Sequence, residues 1–221
     1  MTSLPLSSQL IYLCAALMLL LSFAMIAQRR VLSLVNLLAM QGATLAISTL
    51  LVGYSTGQHH LYYSVALTIA LKVFALPWIL YRLIRRLGVM WETEPLVNIP
   101  TTMLIGLLLV IFSFGSAQPI SELANTINRN TLGIALAVVM LAFLMMITRR
   151  KALTQVVGFL AMENGLFFAA TSATYGMPMV VELGVALDVL VAMLILGIFF
   201  FQIREQFDSL DLHHLERLKE Q

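Results

Sequence analysis

The chain has 221 residues, of which 60% are hydrophobic and 11% are charged, and its mean hydropathy is +0.93. A soluble domain carries roughly 25% charged residues, so this composition predicts an integral membrane protein and excludes a soluble enzyme domain. The net charge of +2 is too small, and the basic residues are too scattered, to predict binding to nucleic acid.

Seven apolar runs have about the 17 to 25 residues that a helix needs to cross a hydrocarbon core of about 30 Å. They cover residues 7–27, 31–52, 61–83, 101–117, 131–147, 154–173 and 180–201. The fourth run is the weakest, because Pro100 and Pro119 bracket it and small residues thin its apolar face. The sequence therefore predicts an all-α, polytopic membrane protein with seven transmembrane helices.

The basic residues predict how these helices are oriented. Lys and Arg cluster after the first, third, fifth and seventh runs, whereas the intervening connections contain only Arg129. Because cytoplasmic loops carry the excess of positive charge, we expect the N-terminus outside and the C-terminus in the cytoplasm. Residues 204–221 are a predicted amphipathic cytoplasmic tail, which is either a solvated end or a docking strip for a partner.

Polar side chains fall at similar depth in four of the predicted helices. Gln41, Lys72 and Glu163 lie near the middle of the second, third and sixth runs, and Asp188 lies slightly outside the middle of the seventh. A charge at bilayer depth costs about 2.5 to 3.5 kcal/mol on insertion scales, so such residues usually mark an ion or proton path. We expect these four side chains to converge and transfer protons. The alternative is a static ion pair that only joins helices.

Two further residues bear on this path. Glu182 lies roughly 9 Å nearer the outer surface than Asp188, so it is either an access site for protons or a solvated helix end. Pro77 follows Lys72 by five residues and cannot donate a backbone hydrogen bond. A local kink there would give the lysine freedom to move.

Motifs for catalysis are absent from the sequence. It contains no nucleotide-binding loop, no Ser-His-Asp arrangement and no Cys/His metal spacing, and its loops are too short for a soluble catalytic domain. We therefore expect no catalytic residue and no cofactor bound by this chain. The pattern favours a transport or coupling subunit whose partners carry out any redox chemistry.

The last three predicted helices resemble the K subunit of respiratory complex I, which has a glutamate in each of its second and third helices. The segment GFLAMENGLFFAA places Glu163 on the first of these glutamates. The segment VALDVLVAMLIL places Asp188 on the second, shortened here to aspartate. The resemblance implies a division into an N-terminal four-helix part (1–130), a K-like unit (131–203) and the tail.

Residues 72–77 (KVFALP), 162–165 (MENG) and 181–188 carry a second resemblance. Through them the whole chain resembles component E of hydrogenase-4 type complexes, the membrane part of formate hydrogenlyases and related group 4 nickel–iron hydrogenases. That family's pattern of a lysine, an apolar stretch and a proline is matched by residues 72–77. Its Met-Glu-Asn-Gly motif is matched by residues 162–165, and its Val-Glu pair followed by Asp is matched by residues 181–188.

This resemblance implies a bacterial or archaeal cytoplasmic membrane and a place in a multi-subunit membrane arm. The implied neighbours are antiporter-like subunits and a quinone-chamber-like subunit. A nickel–iron site and iron–sulfur clusters would belong to partner subunits of a peripheral arm. The implied function is to couple redox chemistry to proton or sodium movement. The alternatives are a small K- or C-like subunit of a cation/proton antiporter complex, a structural spacer and an independent transporter.

Overall fold

The computed structural model describes residues 6–57, 59–87, 96–123, 129–174, 184 and 190–191. Over these residues the fold contains helices and no strand, which confirms the all-α class for this part of the chain. The helical elements are α1 (Leu6–Ala27), α2 (Val31–Thr56), α3 (His60–Thr68), a π segment (Ile69–Ala75), α4 (Leu76–Leu87), α5 (Ile99–Leu123), α6 (Arg129–Thr148) and α7 (Ala152–Thr174).

Six stretches of these helices are long and apolar enough to cross a membrane, as expected of a multi-pass membrane protein. They are Leu6–Ala27, Val31–Thr56, Leu61–Arg85, Ile99–Pro119, Asn130–Thr148 and Ala152–Thr171. They correspond to the first six apolar runs. Most of the seventh run, including Glu182 and Asp188, and all of the tail lie outside the described residues. The seventh helix, the orientation of the termini and the division into three parts stay predictions.

Helix α2 is central to the described bundle. It packs against α1, α3, the π segment, α4 and α7, while α6 packs against α1, α5 and α7. The share of buried residues is 61% in both Asn130–Thr148 and Ala152–Thr171, 56% in Val31–Thr56 and only 17% in Ile99–Pro119, so α5 lies at the edge of the described bundle. Large apolar side chains on α5, including Leu104, Leu108 and Ile111, are exposed as they would be towards lipid.

Two clusters of buried apolar side chains fill the bundle at different depths. One cluster includes Leu38, Leu76 and Leu160 and lies towards the connections that carry the basic residues. The other includes Leu45 and Phe167 and lies towards the opposite end of the helices. The two clusters therefore leave a layer between them. Three of the four polar side chains predicted at mid-depth, Gln41, Lys72 and Glu163, fall in that layer.

The third membrane-spanning stretch is not a uniform α-helix. Between α3 and α4 it contains a seven-residue π segment, Ile69–Ala75, with Lys72 in its middle. The N–H of Leu76 donates to the carbonyl of Leu71, five residues earlier. The sequence predicted a kink at Pro77, and the structure places a π segment that ends two residues before that proline. Such π turns occur frequently at functional sites.

One of the predicted loop arginines is buried and joins two connections. Arg149, which follows α6, donates from Nη2 to the carbonyl of Ile26 at 2.8 Å and to that of Gln28 at 2.6 Å. The last carbonyls of a helix have no partner within the helix, and a cation near them is favourable. Arg149 thus ties the end of α1 to the α6–α7 connection.

Candidate functional site

Lys72 and Glu163 form a buried ion pair in the layer between the two apolar clusters. The ammonium nitrogen of Lys72 lies 2.9 Å from Oε1 of Glu163, and each side chain is only 4% exposed. Helix α2 packs against both the π segment and α7, and the four-carbon stem of the lysine spans the remaining distance to the carboxylate. Each charge offsets part of the other's loss of hydration.

Asn164 extends this pair to a third helix. Its Oδ1 accepts a hydrogen bond from Lys72 Nζ at 3.0 Å, and its Nδ2 donates to Oε1 of Gln41 on α2 at 3.1 Å. The carbonyl oxygen of this amide therefore bonds to the π segment, and its amino group bonds to α2. Lys72 in turn donates to two consecutive residues of α7, one charged and one neutral.

The chain of hydrogen bonds continues from α2 to α1. Gln41 donates from Nε2 to the hydroxyl of Ser22 at 3.1 Å, and that hydroxyl donates to the carbonyl of Met18 at 2.9 Å. Both side chains are buried. Five side chains from α7, the π segment, α2 and α1 are thus joined by continuous hydrogen bonds. We call this set the polar chain, and its members are Glu163, Lys72, Asn164, Gln41 and Ser22.

The sequence around Glu163 explains how α7 presents two polar groups while packing closely. Gly165 follows them and faces α6, where a Cβ on residue 165 would lie 2.9 Å from Val138 Cγ1 and 3.0 Å from Val139 Cγ2. A glycine at this position therefore lets α7 approach α6 closely. The Met-Glu-Asn-Gly motif thus combines two hydrogen-bond acceptors for the lysine, Glu163 and Asn164, with one close contact between helices at Gly165.

An aromatic ring also packs beside the lysine. Lys72 Nζ lies 5.5 Å from the centre of the Phe167 ring, within the range of a cation–π interaction. A Cβ on Gly184 would overlap the same ring. The Phe167 ring therefore packs against both the lysine and a residue that belongs to the predicted seventh helix.

Known proteins share this sequence to different extents. The chain is 36% identical over 189 residues to the uncharacterized protein Rv0085 of Mycobacterium tuberculosis, a match that covers 85% of this chain and 86% of that protein. The chain belongs to the Rv0085 family.

The Rv0085-family chain is also similar to hydrogenase-4 component E of Escherichia coli, with 28% identity over 116 residues. The match covers 52% of this chain and 54% of component E, and hydrogenase-4 component E of Shigella flexneri matches to the same extent. The resemblance to component E is thus found over about half of each protein. No model of a protein family and no solved structure matches the chain.

The structure brings three of the five predicted site residues of this Rv0085-family chain into the polar chain. These are Gln41, Lys72 and Glu163. Asp188 and Glu182 lie outside the described residues. Within the described part, no group of three or more His, Cys, Asp or Glu side chains is placed to hold a metal ion.

Sequence reasoning did not include Asn164 and Ser22 among the site residues. Asn164 directly follows Glu163, and Ser22 is a polar residue within the apolar run of α1. For Asn164 the available signal was the same one that identified Gln41, namely a polar side chain far from both ends of a membrane span, whereas Ser22 lies only five residues before the end of Leu6–Ala27. Which of these side chains meet depends on helix order and rotation, and a single sequence does not contain that information.

Proposed function

We propose that this chain is a membrane subunit of a hydrogenase-4-like complex and that Lys72 and Glu163, within its polar chain, transfer protons. The observation that carries the proposal is the buried pair of Lys72 and Glu163, held within continuous hydrogen bonds that cross four helical elements. Similarity to hydrogenase-4 component E over half of the chain supports the kind of complex.

A purely structural role explains the ion pair less well. Replacing a buried ion pair by packed apolar side chains of similar volume is often neutral or stabilising, so helices can be joined without charges. Ionisable side chains inside membrane spans are rare for the same reason and commonly belong to proton or ion pathways. A lysine and a glutamate at hydrogen-bond distance can exchange a proton directly.

The proposed transfer has three steps. A proton arriving at Glu163 converts its carboxylate to the neutral acid and leaves the Lys72 ammonium without a counter-charge. Lys72 then releases one proton to the next acceptor, for which we propose Asp188, and becomes a neutral amine. Finally, the proton on Glu163 moves to the amine and restores the ion pair. One proton has entered and one has left.

The remaining members of the polar chain have a positioning role in this proposal. Amide groups of Asn and Gln do not gain or lose protons near neutral pH, so Asn164 and Gln41 orient the lysine and do not relay protons. Asn164 contacts Lys72 directly, whereas Gln41 acts through Asn164 and Ser22 acts through Gln41. Their influence on transfer should decrease in that order.

In the complete assembly, we propose that redox chemistry belongs to partner subunits. A nickel–iron site and iron–sulfur clusters would lie in a peripheral arm, and antiporter-like and quinone-chamber-like subunits would adjoin this chain in the membrane. The proposed location is a bacterial or archaeal cytoplasmic membrane. Its proposed work is to link the redox reaction to proton movement.

The deciding experiment measures proton uptake by inverted vesicles that contain the complete complex. Glu163→Gln preserves the shape of the side chain and removes its proton-accepting charge, so we expect a loss of about 10²-fold in proton translocation. The matched control is Ser113→Ala, which removes a buried hydroxyl that bonds only to Leu109 of its own helix, α5. Uptake at the wild-type rate by a fully assembled Glu163→Gln complex would refute proton transfer.

Co-purification from native membranes tests the kind of complex. Nickel–iron hydrogenase subunits together with antiporter-like proteins would support the proposal. Antiporter-like partners alone would favour a subunit of a cation/proton antiporter complex, and a chain that purifies by itself would contradict both.

A further inference from the structure

Two buried serines lack the hydrogen bonds that their neighbours make. Among the residues that the structure describes, the hydroxyls of Ser48 on α2 and Ser64 on α3 are buried and have no hydrogen-bond partner. The nearby buried hydroxyls of Thr44 and Thr49 donate instead to carbonyls of their own helix, those of Met40 and Leu45. Buried polar groups are nearly always hydrogen-bonded, to protein or to ordered water.

Both serines lie on the same side of the polar chain. Ser48 follows Gln41 by seven residues, about two helical turns, and Ser64 precedes Lys72 by eight residues. Because α2 and α3 are consecutive, packed together and joined by a short connection, both positions lie towards that connection. The buried Thr68 lies between Ser64 and Lys72. Hydroxyl groups therefore lead from the lysine towards the α2–α3 connection.

On the opposite side of the polar chain, the adjacent residues that the structure describes are apolar. Leu38, Leu76 and Leu160 lie about one turn from Gln41, Lys72 and Glu163 respectively, in the direction of the basic connections, and all three are buried. Together with Lys72 and Asn164 they enclose a cavity of about 10 Å³. That volume is about the minimum for one water molecule, so this side has no room for a continuous column of water.

We infer that ordered water molecules bridge Ser48, Ser64 and Thr68 to Lys72, and that the polar chain is hydrated only from the α2–α3 end of the bundle. Ser64, Thr68 and Lys72 are spaced by about 6 Å along the helix axis. One water molecule with two hydrogen bonds of about 2.8 Å spans such a gap. The three leucines lie at the other end. As an access route for protons this path rests on the proposed function, but its hydration can be measured separately.

The chain is well suited to a cysteine-accessibility experiment, because Cys14 is its single cysteine. In a Cys14→Ala background, Ser48→Cys and Ser64→Cys are made in the assembled complex in native membranes. They are treated with a small, membrane-impermeant methanethiosulfonate, which reacts with the thiolate and therefore requires local water. The matched controls are Thr49→Cys, next to Ser48 but with a satisfied hydroxyl, and Leu38→Cys on the leucine side.

We expect both serine replacements to react at least about tenfold faster than either control, and only when reagent is added from the side of the α2–α3 connection. The inference would be overturned if the serine replacements reacted from the other side, or if Thr49→Cys reacted equally fast. It would also be overturned if the serine replacements did not react in the native complex although they could be labelled after denaturation. If the serine positions react while Glu163→Gln complexes still move protons, the hydration route stands and the proposed function fails. If they stay unreactive while Glu163 is required for translocation, only this inference fails.

Discussion

Gly42 on α2 lies directly against Lys72, at the point where α2 approaches the π segment. A Cβ on residue 42 would lie 3.0 Å from Cβ of Lys72 and 3.5 Å from its backbone carbonyl group. The 3.0 Å separation between the two Cβ atoms would be shorter than normal contacts between side-chain carbons, which lie at about 3.5 to 4.0 Å. The absence of a side chain at residue 42 therefore sets the position from which the lysine reaches Glu163 and Asn164.

Replacing Gly42 by alanine should disturb the site more than the fold. The added methyl group must displace the lysine-bearing segment by a few tenths of an ångström, and we expect a loss of about 1 to 3 kcal/mol in unfolding free energy. Proton translocation should fall as well, because the hydrogen bonds of Lys72 lengthen. Denaturation in detergent and proton uptake by vesicles measure the two effects.

The control for this substitution is Gly115→Ala on α5. A Cβ at residue 115 would meet nothing within 4 Å. Alanine is favoured over glycine within a helix by about 1 kcal/mol, so this variant should be neutral or slightly more stable and fully active. If Gly42→Ala behaved like Gly115→Ala in both measurements, close contact at residue 42 would have no role in positioning the lysine.

The ion pair predicts strong coupling between its two members. Lys72→Met leaves a carboxylate at a buried site without its cation, which should lower the unfolding free energy by about 3 to 5 kcal/mol. Adding Glu163→Leu removes the second charge and should recover most of that loss. Proton translocation should be abolished in Lys72→Met, in Glu163→Leu alone and in the double variant. A double-mutant cycle measures the coupling, and additive losses would show that the two charges do not depend on each other.

The polar chain also predicts a graded series of effects. Asn164→Leu removes a partner from both Lys72 and Gln41, so we expect it to cost about 1 to 3 kcal/mol and to slow proton translocation clearly. Gln41→Leu should slow translocation less, and Ser22→Ala should have the smallest effect, because each is one step further from the lysine. Parallel measurement of all three in vesicles tests the order. A larger effect of Ser22→Ala than of Asn164→Leu would contradict it.

The length of apolar runs explains how much of this fold was predictable. Hydrocarbon thickness fixes the length of a span, so counting residues identified the six described spans. The length of an apolar run does not determine where its helix ends. Helix α5 extends to Leu123 with Pro119 inside it, whereas the sequence predicted an end at 117. A proline near the end of a helix removes few hydrogen bonds, and the apolar solvent favours continuation of the helix.

The depth of the polar side chains in the membrane was predictable from the sequence, but their hydrogen-bond partners were not. Counting residues from the helix ends put Lys72 and Glu163 at similar depth, and the structure places their charged atoms 2.9 Å apart. The rotation of each helix decides that Asn164 also reaches Lys72, and rotation follows from packing against neighbours such as α6. The π segment changes that rotation within one span, and apolar periodicity gave no sign of it.

Arg149 predicts a large effect on stability from a residue in a connection. Arg149→Ala leaves the carbonyls of Ile26 and Gln28 without their charged donor, and each such hydrogen bond contributes about 1.5 to 3 kcal/mol. The matched control is Arg150→Ala, at the exposed neighbouring position. Thermal unfolding in detergent should separate the two variants, and equal melting temperatures would show that the contacts of Arg149 are not stabilising.

The Phe167 ring predicts communication between the ion pair and the predicted seventh helix. A methyl group at Gly184 would overlap the ring, and the ring lies 5.5 Å from the ammonium nitrogen of Lys72. Gly184→Ala should therefore displace the ring that packs beside the lysine, reduce proton translocation and lower stability by about 1 to 3 kcal/mol. Proton uptake and detergent denaturation of the purified complex measure these changes.

A second substitution distinguishes displacement of the ring from a general effect of alanine at residue 184. Phe167→Leu in the Gly184→Ala background replaces the ring with a smaller side chain, so it should restore much of the activity and stability lost in Gly184→Ala. Phe167→Leu alone should cost stability because it leaves space in the core. The double variant should thus lose less activity and stability than the two single variants lose in sum. Additive losses would show that Gly184 acts on the site by another route than the ring that packs beside Lys72.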